Sequence, residues 1–161
     1  MSETEARQSH LESAFRQYAV KYFEIHAQQR IKAFQFFVTL STAIGGGAVY
    51  SLENNNPIAL LVLGIVMCFV SFVFWMLDVR TRTLVKNGEE ALKYLDSLHD
   101  LPKVHNLPNP LSLFDRDDEI RKRNRNFNTY FSYRICFELA FGLFFLFGLG
   151  AAAFSIFGCR W

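Results

Sequence analysis

The sequence predicts an all-α integral membrane protein with three transmembrane helices, the first two of them prolonged by cytoplasmic helices. Three observations carry this. Half of the 161 residues are hydrophobic, yet a fifth are charged, and the two classes are segregated along the chain. Residues 33–52, 58–77 and 135–157 hold one acidic residue, Glu138, and no basic residue. Crossing the hydrocarbon core, roughly 30 Å thick, takes about 20 such residues. No β-rich segment and no internal repeat competes with this reading.

The first block, 33–52, is the least apolar, because it carries Gln35, Thr39, Ser41, Thr42 and three successive glycines. It begins after some 32 polar and charged residues, too many for the leader of a signal peptide, so a retained span is expected. The second block, 58–77, and the third, 135–157, need no such argument. Basic residues stay on the cytoplasmic side of a membrane. Arg7, Arg16, Lys21, Arg30 and Lys32 precede the first block, and none lies in the loop from Leu52 to Pro57. Ten basic residues lie in segment 78–132, and Arg160 alone follows the third block. A protein so marked has its N-terminus on the cytoplasmic side and its C-terminus outside. Trp75, Tyr130 and Tyr133 would mark one interface and Tyr50 and Trp161 the other.

Segment 1–32 reads as a cytoplasmic amphipathic helix. Ser2-Glu3-Thr4-Glu5 fits a capping box. Leu11, Phe15, Tyr18, Tyr22, Ile25 and Gln29 recur at steps of four and three, which makes a narrow seam of the coiled-coil type. Segment 78–132 begins as a continuation of the second span, with Leu84, Val85, Ala91, Leu92, Leu95 and Leu98 on one face. It ends near Leu101-Pro102, since proline disfavours helix before it. Gly88 weakens this helix by about 1 kcal/mol relative to alanine. The expected plan is a helical hairpin with its tip at Glu53-Asn54-Asn55-Asn56-Pro57, whose stalk seams bury against each other or against neighbouring subunits. A Pro- and Asn-rich connection and the charged stretch 115–125 then lead to the third span.

Candidate sites are few. Ser41/Gly45, Thr42/Gly46 and Ala43/Gly47 are small-xxx-small pairs that let backbones approach. They suit packing within a subunit, a subunit interface or a hinge. Gly64, Cys68 and Ser71 form a similar face on the second span, and Gly142, Gly148, Ala152 and Ser155 a looser one on the third. Glu138 is an intramembrane ionisable residue, and such residues are expected to pair or to work. Arg134, four residues earlier, and Gln35, at similar depth, are its candidate partners; a snorkelling carboxylate is the alternative. Arg121, Lys122, Arg123 and Arg125 could hold anionic lipid headgroups or simply supply the positive-inside signal. The ten basic residues of 78–132 are matched by nine acidic ones, so nucleic-acid binding is excluded on electrostatic grounds. His10, His26, His99 and His105 and the three cysteines show no metal-ligand spacing, no catalytic or phosphate-binding motif occurs, and no cofactor is expected.

Segments His26-Ala-Gln-Gln-Arg-Ile-Lys-Ala-Phe-Gln-Phe-Phe37, Phe74-Trp-Met-Leu-Asp-Val-Arg-Thr-Arg82 and Gly88-Glu-Glu-Ala-Leu-Lys-Tyr-Leu95 resemble small bacterial inner-membrane proteins grouped as RipA-like. The plan of paired spans plus a cytoplasmic helix is also similar to SLATT-type membrane effectors, from which the third span departs. The resemblance implies an inner-membrane homo-oligomer and assigns no functional residue. Two functions follow as expectations. One is a non-enzymatic homo-oligomer whose cytoplasmic helices form a regulatory or assembly module, with membrane lipids and a cytoplasmic protein as partners. The other is a pore-forming or membrane-disrupting effector of a bacterial defence or stress system, lined by Gln35, Thr39, Thr42 and Gly46.

Overall fold

The computed structural model describes residues 3–98, 112–123 and 133–158, and every described element is a helix. These are α1 (Glu3–Glu53), α2 (Pro57–Ser97), α3 (Leu113–Arg123) and α4 (Tyr133–Gly158). Three of them, α1, α2 and α4, are long and apolar enough to cross a membrane. With 51 and 41 residues, α1 and α2 far exceed the 20 or so that a crossing needs, so each carries a long polar extension. α2 ends at Ser97, short of the Leu101-Pro102 stop expected from sequence; residues 99–111 lie outside the described set, as do Ser2 and the side chain of Glu5.

The turn between α1 and α2 is written in three asparagines. Asn56 N–H donates to the Ser51 carbonyl at 2.9 Å and Asn55 N–H to that of Leu52 at 3.2 Å, the paired bonds of a Schellman cap. Asn55 has φ 51°, the left-handed conformation that asparagine tolerates better than most residues. Asn56 then caps α2: its Oδ1 accepts the Ala59 N–H at 3.1 Å, and Pro57, which lacks an N–H to satisfy, takes the first helical position. One short segment thus closes one helix and opens the next.

The chain divides into two compact units, Met1–Gln29 with Thr81–Phe131, and Arg30–Arg80 with Ser132–Trp161. In the first, Ala19 packs with Leu92 and Leu95, flanked by Phe23. Arg16 Nη1 donates to Asp96 Oδ1 at 2.8 Å, and its Nη2 to the Leu95 carbonyl at 3.3 Å. Gly88 is more than a helix weakener. A Cβ there would stand 3.2 Å from both Cα and Cβ of Phe23, so its absence lets α1 and α2 approach. Ser112 starts α3, its carbonyl accepting the Arg116 N–H at 3.1 Å and its hydroxyl donating to Asp115 at 2.9 Å. Lys93 ties α2 to α3 through Asp118 at 2.5 Å and also meets Glu89 at 3.0 Å. The hydrogen bond to Asp118 holds the Lys93 ammonium above its ordinary pKa, against partial burial, with Glu89 adding to the rise. A raised lysine pKa means the tie's contribution is full below the ordinary lysine range and is lost only as pH climbs through the raised value.

The seam on α1 is split: Tyr22 is half-buried, its ring 3.3 Å from where a Cβ on Gly88 of α2 would stand, while the rest of the seam is open. Leu11, Phe15, Tyr18 and Ile25 are 51, 62, 69 and 52 % exposed, whereas Ala19, one residue beyond Tyr18, is buried. Of the face expected on α2, Leu92 and Leu95 are buried, Leu84 and Val85 half-buried, and Ala91 and Leu98 exposed.

Candidate functional site

In the second unit the three spans meet along one inward line on each helix: Phe37, Ser41 and Ala48 on α1, Leu60, Met67, Ser71 and Asp78 on α2, and Phe141 and Ser155 on α4. These positions recur at fours and sevens, which is why one stripe of each helix stays inside. Phe37 is fully buried, with ring centroids 5.5 Å from Phe74, 4.7 Å from Phe141 and 5.5 Å from Phe144. Phe34 stacks on Phe137 at 4.0 Å. All three helices contribute to this aromatic node, and offset or edge-on ring pairs of this kind add to plain area burial.

A buried ion pair closes the node at the charged end of the spans. Arg30 Nε donates to Asp78 Oδ1 at 2.6 Å, and its Nη2 to Oδ2 at 3.4 Å. The Asp78 side chain is 4 % exposed and that of Arg30 18 %. The Arg30 guanidinium also lies over the Phe137 ring, 4.8 Å from its centroid, so one cation joins α1 to both α2 and α4. The sequence reading used these two residues only as flanking charges. A signal was available: reflecting the chain about the Asn54–Asn56 turn sets Arg30 opposite Asp78, charges of opposite sign flanking two antiparallel apolar blocks.

At the loop end the helices are pinned differently. A Cβ on Gly64 would stand 2.7 Å from the Gly148 carbonyl and 2.8 Å from the Ala152 nitrogen. One on Gly148 would stand 2.7 Å from the Gly64 carbonyl and 2.9 Å from Cys68 Sγ. Only glycine permits this backbone-on-backbone crossing, the usual basis of close helix packing in lipid. Cys68 Sγ approaches the Phe145 carbonyl at 3.5 Å, and Ser155 Oγ donates to the Pro57 carbonyl at 2.5 Å. Gly64 and Cys68 of the small face read on the second span therefore lie against Gly148 and Ala152 of that on the third, whereas Gly142 meets nothing within 4 Å.

The glycines of α1 point three ways. Gly45 faces Met67 and Phe147, Gly47 faces Leu63, and Gly46 meets nothing within 4 Å. Gln35, Thr39, Thr42 and Gly46 are all exposed along one face of α1. Thr39 and Thr42 return their hydroxyl protons to the Gln35 and Val38 carbonyls, at 3.0 and 2.8 Å. Glu138 is half-buried and lines a groove between α2 and α4 with Ser71 and Trp75. Arg134 belongs to α4, and Arg121 and Arg123 to α3, but their side chains lie outside the described set, as does Arg125 altogether. Lys122 is exposed and 3.7 Å from Glu119. His26 lies against Tyr22 and 3.4 Å from Gln29 Oε1; no group of His, Cys, Asp or Glu among the described residues could hold a metal.

Three apolar helices closed by a buried ion pair at one end and a glycine crossing at the other define a multi-pass α-helical membrane protein. Residues 15–157 match the model of the octameric membrane protein family, and the chain belongs to that family; it is a homo-oligomer. It is also 31 % identical over 123 residues to CD-NTase-associated protein 19 of Escherichia coli, across 75 % of this chain and 77 % of the relative. No solved structure matches the chain.

Proposed function

We propose that this protein is a non-enzymatic membrane homo-oligomer, an octamer as in the family's name, whose polar helical unit is its assembly and regulatory module. The observation that carries this is the seam Leu11, Phe15, Tyr18 and Ile25, left exposed by a protomer that buries the adjacent face. Side chains of that size on one helical face suit a neighbouring copy. The resemblance to RipA-like proteins agrees. The relative's name places that protein alongside a CD-NTase, and we infer a similar association here, with a cytoplasmic protein acting through the polar unit. Arg121, Lys122, Arg123 and Arg125 would meet anionic headgroups of the inner membrane, and Glu138 with Arg134 and Gln35 would supply the polar groups within it.

A second reading, a membrane-permeabilising effector, is favoured by one observation: the exposed face of Gln35, Thr39, Thr42 and Gly46 on a membrane span. One experiment addresses both readings. Purified protein and the double variant Phe15→Asp/Tyr18→Asp are sized in detergent and reconstituted into dye-loaded vesicles. The wild type should run as eight copies of the 18.6 kDa chain and the variant as a smaller species. An unchanged mass in well-folded variant would remove the seam from the interface. Dye release by the wild type, lost in the variant, would select the effector reading; sealed vesicles would select the regulatory one.

The orientation proposed is N-terminus inside and C-terminus outside. Intact cells should then label Cys159 with a membrane-impermeant maleimide under reducing conditions, and a Cys159→Ser variant should stay unlabelled. Labelling that needs lysis would reverse the assignment.

A further inference from the structure

The groove between α2 and α4 is built from four aromatic side chains, one carboxylate and one buried hydroxyl. Its volume is about 240 Å³. Phe72 and Trp75 line it, 49 and 43 % exposed, with ring centroids 6.0 Å apart. Phe141, buried, and Phe145 line it from α4. Ser71 lines it, is 1 % exposed, and its Oγ has no hydrogen-bond partner among the described residues. A serine in a membrane helix can return its proton to the carbonyl four residues back, as Ser51 does to Gly47. Ser71 does not, which leaves a buried polar atom inside the groove. Gly142 leaves the groove open, since a Cβ there would meet nothing within 4 Å.

We propose that this groove binds a lipophilic protonated amine, its ammonium set between Glu138 and Ser71 and its hydrocarbon along Phe72, Trp75 and Phe145. Charge selects the occupant. Glu138 is the one acidic side chain among the lining residues, none of which is basic, so the lining favours a cation over an anionic headgroup. Aromatic faces attract cations, and most strongly away from water. Hydrogen bonding selects further. A carboxylate accepts at about four lone-pair positions, so a contact Glu138 makes within the protein leaves room for more, and the Ser71 oxygen accepts as well. Both need a donor, which a protonated amine has and a quaternary ammonium lacks. Size selects last. Pockets that enclose a whole drug-sized ligand measure roughly 300–1,000 Å³, so this groove holds a head and a short stretch of chain while the rest stays in the bilayer. Trp75, on its lining, is about one helical turn from Asp78 and so near the charged end of the spans, where the head of an amphiphile would rest.

The test uses full-length protein carrying Trp161→Phe, so that Trp75 is the one tryptophan, in phosphatidylcholine nanodiscs. Dodecylamine, protonated at neutral pH, should change Trp75 emission saturably. Dodecanol should act about tenfold more weakly or not at all, for want of the charge-assisted hydrogen bond. Glu138→Gln should weaken the amine about tenfold or more, and Ser71→Ala about threefold. Gly142→Leu should fill the groove and abolish the response with the oligomer mass unchanged, which decides the matter even if Glu138→Gln fails to assemble. Equal responses to amine and alcohol, or an unchanged response in assembled Glu138→Gln, would overturn the proposal. So would a response in Gly142→Leu equal to wild type, since that is partition into the bilayer alone. No response in the wild type would do the same and leave the groove to a neighbouring subunit.

Discussion

Gly64→Leu should separate α2 from α4 and lower the resistance of the protein to denaturing detergent more than small-to-large changes away from this crossing. Even a Cβ at this position would be 2.7 Å from the Gly148 carbonyl and 2.8 Å from the Ala152 nitrogen. Those are backbone atoms and cannot swing aside, so the helices must part. In water, overpacking costs about 1–3 kcal/mol. Here the upper end is expected, because helix association in lipid rests on contact itself rather than on a hydrophobic drive, and parting removes the contact. Gly148→Leu should behave alike. Gly46→Ala is the informative contrast. Nothing in the protomer stands within 4 Å of its Cβ. The change should therefore be neutral, or stabilising by up to about 1 kcal/mol through helix propensity. The check is the fraction folded against rising dodecyl sulfate for all three variants. Gly64→Leu as resistant as wild type would refute the crossing, and a damaging Gly46→Ala would place that face in a subunit interface.

Asp78→Ala should be the most destructive change among the charged residues. It strands the Arg30 guanidinium, 18 % exposed, beside apolar rings with no carboxylate 2.6 Å away. Removing one partner of a buried ion pair costs about 3–5 kcal/mol, far more than the pair itself contributes. The double variant Arg30→Met/Asp78→Leu should recover most of the loss, since apolar replacements of similar volume are often neutral or better. Arg30→Lys should be intermediate: it keeps the charge but loses the paired N–H donors and the flat face that rests on Phe137. Yield of monodisperse protein and dodecyl sulfate resistance measure all three. If Asp78→Ala matched wild type, or the double variant proved worse than either single change, the ion pair would not be what joins α1, α2 and α4.

The sequence by itself determined that this protein is all-helical, that it has three membrane-spanning helices, and where the chain turns between the first two. Those are properties of segments. Twenty apolar residues need lipid whichever way they face, and Asn54-Asn55-Asn56-Pro57 caps and starts helices whatever packs nearby. The absence of any catalytic or metal-ligating motif likewise led to the reading as a non-enzymatic oligomer. What only the tertiary structure decided is which face of each helix looks inward. Ser41/Gly45 and Thr42/Gly46 read alike in sequence, yet Ser41 is buried and Gly46 open. Gly64 and Gly148 read as ordinary small residues, yet their carbonyls touch where a side chain would be. The seam of α1 looked as able to bind α2 as a neighbouring copy; Tyr22 does meet α2 at Gly88, while Leu11, Phe15, Tyr18 and Ile25 are exposed. In water a polar stripe marks the outside of a helix. In a bilayer the outside is as apolar as the inside, so the periodicity that reveals a buried face is erased. Only contact between particular side chains on different helices, such as Arg30 with Asp78 and Phe137, restores it.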